Sequence, residues 1–140
     1  MILLDTNVLS EMMKTRPDPN VVAWLDAQPG GELVICSISV AEILYGIARM
    51  PNGKRKDLLA MGADTLFNKL FAGCILPFDA DAAVHYAALV SASQAKGRAT
   101  DMADAQIAAI ARLYSAQVAT RNTRDFEELG VALVNPWEGA

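Results

Sequence analysis

Met1-Ile2-Leu3-Leu4-Asp5-Thr6-Asn7-Val8-Leu9-Ser10 is the stretch that decides the fold. Four apolar residues run straight into a carboxylate, a pattern that reads as a short buried strand ending at Asp5. A carboxylate in that place is costly unless something offsets its charge. The ends of parallel strands are also where α/β sheets build their sites. Asp5 is therefore the first candidate for chemistry.

Working outward, apolar runs alternate with helical patterns, as βα units around a parallel sheet do. Helical signals cover Thr6 to Met13. Asp18-Pro19 reads as an N-cap with proline in the first helical position, opening a helix through Asp26. Gln28-Pro29-Gly30-Gly31 is a turn, and Leu33–Cys36 the second strand. Ser39 opens a helix with Val40, Ile43, Leu44 and Ile47 at core spacing. After the break at Pro51-Asn52-Gly53 a long helix runs to about Phe71, followed by a strand over Cys74–Phe78. Asp79 or Asp81 caps a helix to about Lys96. Asp101–Tyr114 is a helix with the stripe Ile107, Ile110, Ala111 and Tyr114. Val118–Thr120 is a strand, and Leu133–Val134 a last, edge strand.

The 140 residues, with neither repeat nor linker, amount to one domain over 1–140, and a composition 53% hydrophobic supports a core without staples. Cys36 and Cys74 lie in apolar runs and read as buried small hydrophobes. The N-terminus lacks the basic region of a signal peptide. The charge-free stretch Ala82 to Ala95 is too short and too polar to span a bilayer. The expectation is a soluble, cytoplasmic protein with no membrane partner. A net charge of −4 argues against a non-specific nucleic-acid coat. It leaves room for an enzyme that meets phosphate through metal ions, and it suits a basic protein partner.

Phosphate-cradling GxxxxGK[ST], GxGxxG and GxSxG motifs are missing, as is any Cys/His spacing for zinc. The single histidine, His85, rules out a paired-histidine ribonuclease and leaves acid-based chemistry. Asp104 precedes Ile107 by three residues and so lies on the buried stripe of its helix. Either Asp101 or Asp104 caps that helix; Asp101 suits the cap better, which turns Asp104 inward. Glu42 carries two readings. It completes a capping box with Ser39, or it joins Asp5 on the same edge of the sheet. Ala119-Thr120-Arg121-Asn122-Thr123-Arg124-Asp125-Phe126 brings further polar groups to that edge. There Asp125 is a ligand or the start of a helical turn, and Asn122 a ligand through its amide oxygen or a turn residue. Asp79 reads as an N-cap, Lys54-Arg55-Lys56 as a solvated run with some pull for a polyanion, and Trp24 and Trp137 as packing residues.

Two carboxylates about 5 Å apart repel by roughly 3 kcal/mol at an effective dielectric near 20. Three or four would take up protons or bind a cation. Hard oxygens without histidine or thiolate select Mg²⁺ or Mn²⁺. Two such ions can polarise a phosphodiester and stabilise its leaving oxygen.

These stretches resemble the PIN-domain family, specifically the VapC-type toxins of bacterial toxin–antitoxin pairs in their FitB-like branch. The matching segments are Met1–Ser10, Ser39–Gly46, Asp101–Ala109, Ala119–Phe126 and Asn135-Pro136-Trp137-Glu138, in order along nearly the whole chain. The resemblance implies a three-layer α/β/α sandwich with a mostly parallel sheet of four to five strands. It implies a Mg²⁺-dependent endoribonuclease acting on tRNA or another structured RNA, with Mn²⁺ as an alternative ion. The family's acidic quartet maps onto Asp5, Glu42, Asp104 and Asp125; some members place the fourth acid where this chain has Asn122. A homodimer is implied as well. So is an antitoxin, of the ribbon-helix-helix DNA-binding type, through which alone promoter DNA is bound. Two rivals remain from the residues themselves: an aspartyl-phosphate phosphatase using Asp5, and a binding module whose acids dock an arginine-bearing partner.

Overall fold

Leu3 and Leu4 are both fully buried, on opposite faces of one strand. Leu3 packs with Val34, Val118 and the apolar face of the last long helix. Leu4 packs with Ile35, Ala119, Val8 and Leu9. A strand apolar on both sides needs helices on both sides, and the computed structural model, which describes residues 1–139, supplies them. The strands are β1 (Ile2–Leu4), β2 (Leu33–Cys36), β3 (Ile75–Leu76), β4 (Gln117–Ala119) and β5 (Leu133–Val134). The helices are α1 (Thr6–Met12), α2 (Pro19–Ala27), α3 (Ser37–Ala48), α4 (Lys54–Thr65), α5 (Ala80–Ala95) and α6 (Met102–Tyr114).

The sheet order is β3-β2-β1-β4-β5, and every pairing is parallel. This is the expected α/β/α sandwich in its five-strand form. Register aligns Leu3 with Val34 on one side and Val118 on the other. The chain leaves β1 toward β2 and β3, then crosses back to lay β4 on the opposite flank. Such a reversal opens a crevice at the carboxyl ends of the two central strands. Asp5 ends β1 and Thr120 ends β4, so both stand at that crevice.

Local signals set most of the helix starts. Asp18 accepts from the Asn20 N–H at 2.8 Å ahead of Pro19. Asp79, rather than Asp81, caps α5 by accepting from the Ala82 N–H at 3.0 Å. Asp101 caps α6 by accepting from the Asp104 N–H at 3.1 Å. Helix α3 departs from expectation. It begins at Ser37, with Cys36 as a cap that makes no side-chain bond, so Ser39 sits inside the helix, fully buried. The proposed capping box between Ser39 and Glu42 does not form. Two stripe positions are also corrected: Leu44 is 48% exposed and Tyr114 is 37% exposed, because each lies at the margin of its helix's contact face. The long helix expected to Phe71 is α4 extended by one π-helical turn, Leu66–Leu70. Cys36 is buried, Cys74 partly so, and both are free thiols. No helix among the described residues is long and apolar enough to cross a membrane.

Candidate active site

Asp5 is the floor of the site. It is 5% exposed and caps α1, its Oδ1 accepting from the Thr6 N–H at 2.8 Å. Its Oδ2 accepts from the Thr120 hydroxyl at 2.7 Å. Burial pushes the Asp5 carboxyl up from its ordinary range, those two hydrogen bonds pull against it, and the charges of Glu42 and Asp125 push it further up.

Thr120 is saturated. Its oxygen also receives the Asn122 N–H at 3.0 Å and the Asn7 Nδ2 at 3.3 Å. The Asn7 Oδ1 in turn accepts from the Arg121 N–H at 3.4 Å. Asn7 and Thr120 thus tie the exits of β1 and β4 together.

Glu42 reaches the same crevice from α3. The Thr6 hydroxyl lies 2.7 Å from Glu42 Oε1 and 2.9 Å from Ser39 Oγ. With a single proton to give, Thr6 satisfies the carboxylate and Ser39 donates back to Thr6. Ser39 also lies 3.8 Å from the Cys36 Sγ, whose thiol burial keeps protonated. The serine expected to cap a helix instead holds the threonine that holds Glu42.

Asp104 projects from the first turn of α6, half-buried. Burial, then the negative charges of Asp5, Asp101, Asp125 and Glu42, raise its carboxyl to about 7. Four carboxylates therefore lie within electrostatic reach of a fifth, Asp104, which receives their sum.

One cleft of about 410 Å³ is lined by Asp5, Glu42, Asp104, Asn122, Arg121 and Trp137, among others. A second, of about 460 Å³, adjoins it and is lined by Asp104, Asp125, Arg98 and Arg124. Asp104 lines both. Asp125, on a 3-10 turn over Thr123–Asp125, reaches the acids from the second side. Asn122 reaches them from the first. The structure thus brings Asp5, Glu42, Asp104 and Asn122 to one cleft and leaves Asp125 in the neighbouring one, across Asp104. Asp79 stays a helix cap, and Lys54 and Arg55 line a neighbouring groove that meets the acidic cleft at Thr6, Ser10, Lys14 and Glu42.

Glu11 is the acid that sequence reading passed over. It is buried at the cleft wall, and its carboxylate accepts from Lys14 Nζ at 2.9 Å and from the Asp18 N–H at 2.9 Å. The Lys14 and Asp18 bonds hold its carboxyl below the usual range. It is a structural acid that fixes the entry to α2. Trp137 is corrected from pure packing. It touches the core beside α1 and α2, but it also faces the cleft.

The donor set fits a hard divalent cation: carboxylates and an amide oxygen, with no imidazole or thiolate among them. Among the described residues no three His, Cys, Asp or Glu side chains are arranged to enclose a metal ion by themselves. Mg²⁺ is usually held by one or two carboxylates, with waters and substrate oxygens completing its shell, and so does not require such a cage.

The chain as a whole is similar to proteins of one family. Residues 2–132 match the PIN domain family. The VapC ribonuclease Y4jK of Sinorhizobium fredii is 44% identical over 140 residues, covering 100% of both chains. The toxin FitB of Neisseria gonorrhoeae is 44% identical over 137 residues, covering 98% of this chain and 99% of that one. The structure of FitAB bound to an IR36 DNA fragment contains a chain with a TM-score of 0.90, 44% identical, covering 98% of this chain and 96% of that one.

Proposed function

Because this chain belongs to the PIN-domain family, we propose that it is the ribonuclease toxin of a VapBC-type toxin–antitoxin pair, a Mg²⁺-dependent endoribonuclease. The single observation that carries the reading is the convergence of Asp5, Glu42 and Asp104, from three separate elements, on one cleft at the strand-order reversal. Nucleases of this family use divalent metal, and Asp104, its carboxyl raised to about 7 by burial first and then by its acidic neighbours, marks where positive charge is wanted.

In this reading Asp5 and Asp104 hold the metal, with Glu42 and Asp125 completing the acidic set and Asn122 as a further oxygen donor. The bound ion, Mg²⁺ with Mn²⁺ as the alternative, supplies charge neutralisation and Lewis acidity at the phosphodiester. The protein's own part is positional. Thr6 and Thr120 donate to both oxygens of Asp5 and to Glu42, so the carboxylates meet substrate in fixed orientations. Glu42 and Asp125 would complete the cage or orient the attacking water.

The substrate class is RNA, tRNA or another structured RNA in particular. The partner is an antitoxin of the ribbon-helix-helix type, and promoter DNA is met only through that complex. An apolar groove of about 940 Å³ between α1, α3 and α4, with Lys54 and Arg55 on its rim, opens beside Glu42 and gives the antitoxin a place to lie. We further read the chain as one domain, homodimeric and cytoplasmic. The phosphatase rival loses ground on one observation. The residue two positions after Asp5 is Asn7, so the chain lacks a second aspartate there to serve as acid and base for a phospho-aspartate.

The test is cleavage of RNA by the purified chain in Mg²⁺ or Mn²⁺, with end analysis of the products. The expected ends are 5′-phosphate and 3′-hydroxyl. A 2′,3′-cyclic phosphate, or full activity in chelator, overturns the reading.

A further inference from the structure

The cations that line the acidic cleft are not alike. Lys14 is paired with Glu11 at 2.9 Å. Arg121 takes part in none of the ion pairs among the described residues, although Asp5 and Asp104 line the same cleft. Its guanidinium carbon lies instead 5.2 Å from the centroid of the Trp137 ring. The tryptophan backbone is itself anchored: its amide N–H donates to Asn135 Oδ1 at 2.9 Å, and its carbonyl accepts from Asn20 Nδ2 at 3.0 Å. At the other end the Arg121 N–H donates to Asn7 Oδ1. The carboxyl that feels the charge of Arg121 is Glu11, which Lys14 and the Asp18 N–H already hold. The aromatic ring carries the guanidinium instead, and its N–H groups are left for a planar, bidentate acceptor.

We propose that Trp137 positions Arg121 to grip a backbone phosphate of the RNA strand next to the bond that is cut. Arg121 is then a substrate-binding residue and Trp137 a positioning residue that acts through it. The inference rests on the ribonuclease reading above. The acids repel an incoming phosphodiester wherever metal does not cover them, so a fixed cation at the cleft wall steers the strand and sets its register. A phosphate brings two oxygens to one guanidinium edge, a geometry that the arginine fork matches.

Two measurements test it. In steady-state cleavage, Arg121→Gln should raise KM about tenfold, the worth of one charge-assisted contact, with kcat changed by less than about threefold. Trp137→Leu should move KM the same way, and Trp137→Phe should recover most of the loss. Unchanged KM in Arg121→Gln, or a loss confined to kcat, overturns the proposal. In the second, Trp24→Phe leaves Trp137 as the sole indole, and Asp104→Asn prevents cleavage. A short single-stranded oligoribonucleotide should then give a saturable change in emission that weakens when Arg121→Gln is added. A flat titration overturns the proposal even where Trp137→Leu fails to fold. Wild-type protein that cuts no RNA but shows the titration would sink the ribonuclease reading and leave this contact standing.

Discussion

The Thr120 hydroxyl donates a 2.7 Å hydrogen bond to Asp5 Oδ2 across 115 positions of sequence. It joins the ends of the two central parallel strands at the point where the strand order reverses. The bond serves fold and site together. It satisfies a buried carboxylate, and it fixes that carboxylate's orientation toward the cleft.

Thr120→Val keeps the shape and removes the donor. It strands Asp5 Oδ2 and takes the acceptor from Asn7 Nδ2 and the Asn122 N–H. A loss of about 1–3 kcal/mol is expected, the cost of leaving buried polar groups unsatisfied, read by urea unfolding. The Asp5 carboxyl, already raised, should rise further, so the acidic limb of the cleavage–pH profile should move to higher pH. Stability and profile both unchanged would show that the bond orients nothing.

How much of this was legible depended on how far apart the partners were. The caps at Asp18, Asp79 and Asp101 were read correctly because each bonds an N–H two or three residues on. The strands were legible because β1 and β2 are apolar on both faces. Ser39 and Glu42 made a plausible capping box, and the plausible local pairing lost to Thr6, which lies 33 and 36 positions away. Thr120 gave no signal by itself, since its meaning comes from Asp5. Trp137 looked like packing because a tryptophan near a chain end usually is. Its relation to Arg121 needs the fold.

Glu11 and the site acids should separate cleanly by substitution. Glu11 is held below its ordinary range by Lys14 and the Asp18 N–H, so its contribution is present above the unfolded value of 4.5 and lost as pH falls through its lower folded value. Glu11→Gln should therefore lower the melting temperature by a few degrees at neutral pH and by less in acid, while cleavage persists. Abolished cleavage in a folded variant would move Glu11 into the catalytic set.

Gly62 lies inside α4 at ordinary backbone angles, and a Cβ there would meet only Met13 Cε, at 3.9 Å. Alanine restricts the unfolded chain more than glycine and fits the helix. Gly62→Ala should raise stability by about 0.5–1 kcal/mol, measured by chemical denaturation, with cleavage unaltered. A decrease would show that α4 and α1 pack more tightly than the Met13 contact allows.

Asp104 supplies the sharpest test, since its two expected effects have opposite signs. Its carboxyl stands at about 7 in the fold against 3.8 as the ordinary value. Between those values the native state binds more proton than the unfolded chain, so stability falls as pH rises and the penalty is complete above about 7. In metal-free buffer the wild-type melting temperature should decline from pH 4 to 7 by an amount that Asp104→Asn reduces. At pH 8 the variant should be at least as stable as wild type, having lost a repelled charge. Millimolar Mg²⁺ should raise the wild-type melting temperature at pH 8 and do little for Asp104→Asn, because cation binding to the native state alone stabilises it by mass action. The same substitution should abolish cleavage. A variant that is more stable without metal, indifferent to Mg²⁺ and inactive identifies Asp104 as a metal-facing acid. One that is destabilised at pH 8 shows instead that its carboxylate is held by favourable contacts, and removes it from the metal site.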